Sequence, residues 1–333
     1  MENQNRQLIN SLRKRFVDDY KLPIDLFYDD ELFYYFLSLY EKDFKSRTSW
    51  DLLVDTVDEK FNGNPQLFLN EYYRVREEMI SSILNNEHFK EFNDSKNDLS
   101  KYNLPEESRQ YSTKNIYNCE NDGKIFLSID LNKANYSALL FHNPQILGLN
   151  ERILYEDWVR NFTDLSYIIN SKYIRQVVFG KLNPARQIKV EKYMIWKALK
   201  DFKEFFDMNR INYNIVSFST DEVVFEIENN SETIELIWEY VVKTIELTKN
   251  YIPIKGTIFK LNLKRFKTFN ESFLNVFEKK FIKGKNGVEL KGVPSYFYAQ
   301  VYKLLTNGVI CDFDKMFWSN DQPAIFLHKL ELS

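Results

Sequence analysis

The chain has 333 residues, 44% hydrophobic and 28% charged, with a formal net charge of −3. That composition belongs to a folded protein with room for one large core or two smaller ones, and it excludes a disordered chain. Two distant cysteines (Cys119, Cys311) and three scattered histidines (His88, His142, His328) exclude a disulfide framework and a zinc centre, and only 9 glycines leave little for Gly-rich phosphate loops.

Residues 1 to about 92 read as helices. Met1 to Asn10 is polar and lacks the apolar segment of a signal peptide. No apolar run is long enough to cross a bilayer, so a cytoplasmic location and no membrane partner are expected. Asp29-Asp30-Glu31 is an acidic start to LFYYFLSLYEKDF, Ser49 precedes WDLLVDTVDEKF, and Pro65 opens QLFLNEYYRVREEMISSIL with a helical apolar period. The polar stretch 91–118, with Pro105, is the candidate boundary between a helical N-terminal domain (1–118) and a mixed domain (119–333).

Lys124-Ile-Phe-Leu-Ser-Ile-Asp130 is a short β-like run ending in an acid. Helical patterns fill about 133–160 and 186–208, and 215–227 reads as two strands with a polar tip. A helix is expected over 231–249, strands near 254–261, 263–269 and 288–293, and a helix over 295–306 stopped by Asn307-Gly308. The whole is α+β. Between Lys255 and Lys291 lie Lys260, Lys264, Arg265, Lys267, Lys279, Lys280, Lys283 and Lys285 with few acids among them. Such a stretch suits a phosphate backbone or an ordinary solvated surface.

Asp130 ends a hydrophobic strand and is followed at once by a helical pattern, and Asp221 sits at a hairpin tip with apolar flanks. Each acid alone is a common turn or cap residue. Two strands that deliver both to one sheet end would form the pair that phosphoryl transfer uses to hold two divalent cations about 4 Å apart. Mg²⁺ is the expected ion, with Mn²⁺ as a substitute.

Five segments in order along the chain carry a resemblance. They are Asp130 in SIDLNKANYS, Lys172-Tyr-Ile-Arg-Gln-Val-Val-Phe-Gly-Lys181, Ser219-Thr-Asp-Glu-Val223, Leu263-Lys264-Arg265-Phe266, and Glu289-Leu-Lys-Gly-Val-Pro294. Together they resemble the palm, fingers and thumb core of family B DNA polymerases, especially the protein-primed kind of small phages and linear plasmids. The resemblance covers about 124–310. It implies an antiparallel palm sheet with short helical fingers (about 145–210) and a small thumb (about 288–333). The implied activity is template-directed nucleotidyl transfer, with primer–template and nucleoside triphosphates as partners.

The resemblance also implies roles. Asp130 and Asp221 become the metal-holding catalytic acids, with Glu222 as an assisting metal ligand. Lys172, Arg175 and Lys181 bind the triphosphate. Asn135 and Tyr136 lie at the sugar. Lys264, Arg265, Phe266 and Lys291 serve the primer strand, and the N-terminal helices offer a surface to replication proteins.

Several positions depart from that pattern. Ser219 replaces the first acid of the hairpin motif, and Gln176-Val177 replaces Asn-Ser in the fingers motif. The aromatic that should stack under the sugar falls on Asn135, with Tyr136 beside it. Asp29 and Glu31 have the spacing of an exonuclease motif but introduce a helix, so no editing domain is expected. DLNKAN and Asp221-Glu222 also suit a reverse transcriptase. Ser219, the altered fingers motif and the low net charge suit a non-catalytic palm-derived scaffold. A helical interaction protein without such ancestry would leave Asp130 and Asp221 far apart.

Overall fold

A computed structural model describes residues 2–182, 184–268, 272–320 and 322–333 of the chain. The first part is helical: α1 (Glu2–Tyr20), α2 (Asp30–Leu39), α3 (Glu41–Phe44), α4 (Ser46–Phe61), α5 (Pro65–Leu84) and α6 (Glu87–Asn93). Local chemistry explains the starts of α2 and α5, whereas α4 begins at Ser46 without a side-chain cap, so Ser49 lies inside it. Asp29 accepts a hydrogen bond from the Leu32 amide at 3.0 Å, and Asp30 and Glu31 occupy the first turn of α2, where the helix dipole favours acids. Asn64 caps α5, and Pro65 sits in its first turn, where a missing N–H is harmless. The helix then buries Phe68, Leu69, Tyr72, Val75, Met79, Ile80 and Ile83 at helical spacing.

The mixed region follows as β1 (Ile125–Leu131), α7 (Ala134–His142), α8 (Tyr155–Val159), α9 (Ser166–Asn170), α10 (Lys172–Gly180), α11 (Pro184–Met208), β2 (Tyr213–Phe218), β3 (Glu222–Ile227), α12 (Ser231–Thr248) and β4 (Ile254–Lys267). After these come β5 (Phe273–Lys283), β6 (Val288–Lys291), α13 (Tyr298–Leu305), β7 (Met316–Ser319), β8 (Gln322–Ile325) and β9 (Glu331–Leu332). The sheet runs β2-β3-β1-β4-β5-β6, its pairings are antiparallel, and β9 adds to β4. Its first four strands, with helices connecting β1 to β2 and β3 to β4, make the β-α-β-β-α-β arrangement.

Strand alternation sorts the side chains. Ile125, Leu127, Ile129 and Leu131 of β1, with Val223, Phe225 and Ile227 of β3, enter the main core alongside Met194, Leu199 and Phe202 of α11 and Ile237 and Val241 of α12. Gly256 admits α12 close to β4: a Cβ there would lie 2.5 Å from Val241 Cγ1.

Some expected elements take different bounds. The 133–160 helix divides into α7 and α8, because Pro144 cannot continue α7 and instead opens the short 3₁₀ turn Pro144–Leu147. The expected strands 254–261 and 263–269 are one continuous strand, β4, while Phe269 lies outside the described residues. Strand β5 was not anticipated; its Glu278-Lys279-Lys280 run interrupts the apolar alternation.

The polar stretch 91–118 carries short 3₁₀ turns and runs as a strap over the structure. Leu99, Tyr102 and Ile116 anchor it in the interior. The Phe218 amide donates to the Ser112 carbonyl at 3.0 Å, so the strap also satisfies the outer edge of β2. One buried cluster joins Phe16, Phe33 and Tyr72 of the N-terminal helices to Leu127 and Phe225 of the sheet. Among the described residues, no helix is long and apolar enough to cross a membrane.

Candidate active site

The register of three strands brings the two acids together. Asp130 faces Glu222 of β3 on one side and Lys255 of β4 on the other. The Leu131 amide donates to the Asp221 carbonyl at 2.8 Å, so Asp221 lies across from the residue after Asp130. That is about one strand spacing, ~5 Å. Paired residues share a face of the sheet. Ser128, Asp130, Glu222, Lys255 and Thr257 therefore lie together on the face opposite the main core.

The contacts agree. The Ser128 hydroxyl donates to Glu222 Oε1 at 2.5 Å, and Lys255 Nζ stands 3.2 Å from Asp130 Oδ2. Burial raises the Asp130 carboxyl to about 6; Lys255 opposes the shift, and the like charges of Asp221 and Glu222 add to it.

Helix α10 supplies one cation, Lys172, to the neighbourhood of Asp130. Ser171 caps it by accepting from the Ile174 amide at 3.0 Å, and Ile174, Val178 and Phe179 bury its inner side. Asp19 of α1 holds that cap by accepting from the Ser171 hydroxyl at 2.8 Å. Lys172 follows the cap directly. Its ammonium is held below the usual range by desolvation and by Lys255, Arg175 and Lys21, while Asp130 pulls the other way. Lys172 therefore feels the field of Asp130. Arg175 lies 5.5 Å from the centre of the Tyr155 ring, and Lys133 lies 5.3 Å from the same ring and pairs with Glu156. Lys181 is exposed at the C-cap, at the other end of α10 from Lys172.

The two sugar candidates separate. Tyr136 is 2% exposed; its hydroxyl donates to the Ile153 carbonyl at 3.0 Å and its ring packs on Tyr155, Trp158 and Phe179. It is a core residue, because α7 turns this position toward α8 and α10. Asn135 remains half-buried and donates through Nδ2 to Glu191 Oε1 at 2.9 Å. Glu191 of α11 is 3% exposed, and burial together with Asp221 raises its carboxyl to about 7 against the Asn135 hydrogen bond. Sequence reasoning missed Glu191. The available signal was its phase: Gln187, Val190, Glu191, Met194 and Ile195 all fall on the buried face of α11, where a lone Glu is out of place.

The strand expected to hold a primer is also divided by alternation. Arg265 falls on the Asp130 face of β4, whereas Lys264 and Phe266 fall on the other. Phe266 is fully buried with Val276, Phe297, Val301 and Leu330. Lys291 pairs with Phe277, itself paired with Leu263, and so shares the Asp130 face; it lies 3.5 Å from Glu289. Lys279, on the same face, lies 4.1 Å from the centre of the Phe259 ring, and burial holds its ammonium low against the pull of Glu289 and Glu222.

Among the described residues, no group of three or more His, Cys, Asp or Glu side chains forms a metal cage. Asp130 and Asp221 instead stand near one sheet end, joined by the Leu131 amide to Asp221 carbonyl bond and each in the other's field, with Glu222 committed through one oxygen to Ser128. That donor set suits Mg²⁺, which accepts one or two carboxylates when substrate phosphates and water complete its octahedron. The raised Asp130 carboxyl fits the same reading: crowded, partly desolvated acids are relieved by a cation. No family model matches this chain, and no curated protein matches it.

Proposed function

We propose that this chain catalyses template-directed nucleotidyl transfer, extending a primer at its 3′-hydroxyl. One observation carries the reading: β1 and the turn before its antiparallel neighbour β3 bring Asp130 and Asp221 to one sheet end, and Lys172 of α10 stands within the field of Asp130. The β-α-β-β-α-β sheet supports an assignment of 119–333 as a palm with α10 as the short fingers helix.

In this reading the primer 3′-oxygen attacks the α-phosphorus, the bond between the α- and β-phosphates breaks, and pyrophosphate leaves. Asp130 and Asp221 would hold divalent cations, which supply positive charge to the attacking and leaving oxygens. Lys172 and Arg175 neutralise the triphosphate and the charge that develops on pyrophosphate. Lys255 balances Asp130 until substrate arrives. Arg265 and Lys291 lie on the face where a primer backbone would pass, and they position it without reading sequence.

A second reading has its own observation. Lys255 Nζ already supplies Asp130 with a cation, and Ser219 contributes no carboxylate to the hairpin. A palm-derived scaffold that binds nucleic acid without chemistry would look the same.

Primer extension decides between them. The protein is incubated with Mg²⁺, primed DNA or RNA templates, and each nucleotide set. The reading expects extension by wild type and loss of at least about a hundredfold in Asp130→Asn and Asp221→Asn. Extension that survives both substitutions, or no extension under any combination, overturns it.

A further inference from the structure

We infer that Asp19 of α1 is a positioning residue: acting through Ser171, it fixes the direction in which α10 presents Lys172. What Lys172 binds rests on the nucleotidyl-transfer reading; the hold of α1 on α10 does not.

The Asp19 side chain is 1% exposed. It accepts from the Tyr72 hydroxyl at 2.7 Å and from the Ser171 and Tyr167 hydroxyls at 2.8 Å, and Arg15 Nε stands 3.4 Å away. One carboxylate of α1 therefore gathers α5, α9 and the start of α10. Burying such a group is costly, and apolar residues of similar volume often stabilise a core as well or better. What directed, charge-assisted bonds add to packing is a fixed geometry.

That geometry is set at a junction. Ser171 is the single residue between α9 and α10, extended at φ −63° and ψ 113°, so it sets the angle between the two helices. Its hydroxyl has one proton and two lone pairs. With the proton given to Asp19, a lone pair is left for the Ile174 amide, which donates at 3.0 Å and closes the first turn of α10. The residue after Lys172 is held from the same helix. Arg15, 6% exposed, places its guanidinium 3.5 Å from the centre of the Tyr173 ring. Helix α1 thus grips both chain neighbours of Lys172. A misplacement of about 1 Å in a binding group can cost about a hundredfold, so a small tilt of α10 is enough to register at the site.

The test measures amide hydrogen exchange in α10 and equilibrium binding of inorganic triphosphate in Mg²⁺, both on the full chain. Inorganic triphosphate meets Lys172 and Arg175 without a base or sugar. The variants are Asp19→Ala, Asp19→Asn, Ser171→Ala, Tyr167→Phe, and Asp19→Ala combined with Lys172→Ala, with thermal unfolding to establish that each is folded. In Asp19→Ala and Ser171→Ala the Ile174 amide is expected to exchange at least about fivefold faster, and triphosphate to bind at least about fivefold more weakly. Asp19→Asn keeps an acceptor oxygen and should recover most of both. Tyr167→Phe takes a hydroxyl from the same carboxylate without touching Ser171, so it should lower the Tm yet leave both readouts within about twofold. With Lys172→Ala already in place, Asp19→Ala should weaken triphosphate no further. Should Asp19→Ala fail to fold, Ser171→Ala decides on the same thresholds. Unchanged α10 exchange in these variants, or equal weakening of triphosphate by Tyr167→Phe, overturns the inference even where primer extension proceeds. A wild type that binds no triphosphate, with α10 still loosened by Asp19→Ala, sinks the transfer reading and leaves the hold of α1 on α10 standing.

Discussion

Replacing Asp130 by Asn should stabilise the isolated protein while abolishing its chemistry. Burial and neighbouring acids raise the Asp130 carboxyl from an ordinary 3.8 to about 6. The folded state therefore holds the proton more tightly than the unfolded state does. The sign follows: the penalty is absent below the unfolded pKa, grows as pH rises from about 4 to 6, and is complete above 6. The rise from 3.8 to about 6 corresponds to about 3 kcal/mol at neutral pH. Asn is a neutral isostere of the protonated acid and escapes that penalty. The lost partner, Lys255, has a side chain 60% exposed, so breaking this ion pair subtracts little. We expect Asp130→Asn to gain about 1–3 kcal/mol at pH 8 in denaturant unfolding, and to converge on wild type near pH 4. Mg²⁺ at a hundred times its dissociation constant should stabilise wild type by about 2.7 kcal/mol and the variant far less. A variant no more stable than wild type at pH 8, or a gain that persists at pH 4, would refute the reasoning.

Lys172→Ala should lower kcat/KM for the nucleotide by about 10- to 100-fold, whereas Lys181→Ala should stay within about twofold; steady-state kinetics on both separates the two ends of α10. Tyr136→Phe removes the hydrogen bond to the Ile153 carbonyl and should cost about 0.5–1.5 kcal/mol of stability, read by urea unfolding. Gly256→Ala places a methyl 2.5 Å from Val241 Cγ1 and should destabilise by about 1–3 kcal/mol, visible as a lowered Tm.

Much of the local structure was legible in the chain because it is decided by neighbours. Asp29 and Pro65 announce helix starts through an acidic first turn and a fixed φ, and the apolar period of α5 needs no partner to be read. The run ending at Asp130 and the hairpin around Asp221 are strands by composition and alternation. Where the signals were mixed, bounds drifted. Pro144 broke a long helical pattern, and charges within Phe273–Lys283 hid β5.

Sequence by itself thus determined several helices, the strand ending at Asp130 and the hairpin that carries Asp221. Only the tertiary structure decided what those acids face. The order β2-β3-β1-β4 sets Asp130 between Glu222 and Lys255, a pairing of residues up to 125 positions apart that no local period encodes. Packing likewise drew Tyr136 into the core and left Asn135 to meet Glu191, and it laid the polar 91–118 stretch against β2 as a strap. The physical reason is common to all three. Propensity and capping act within a turn or two of chain, whereas strand register, burial and the field between charges act through space and exist only once the sheet and its helices have closed on one another.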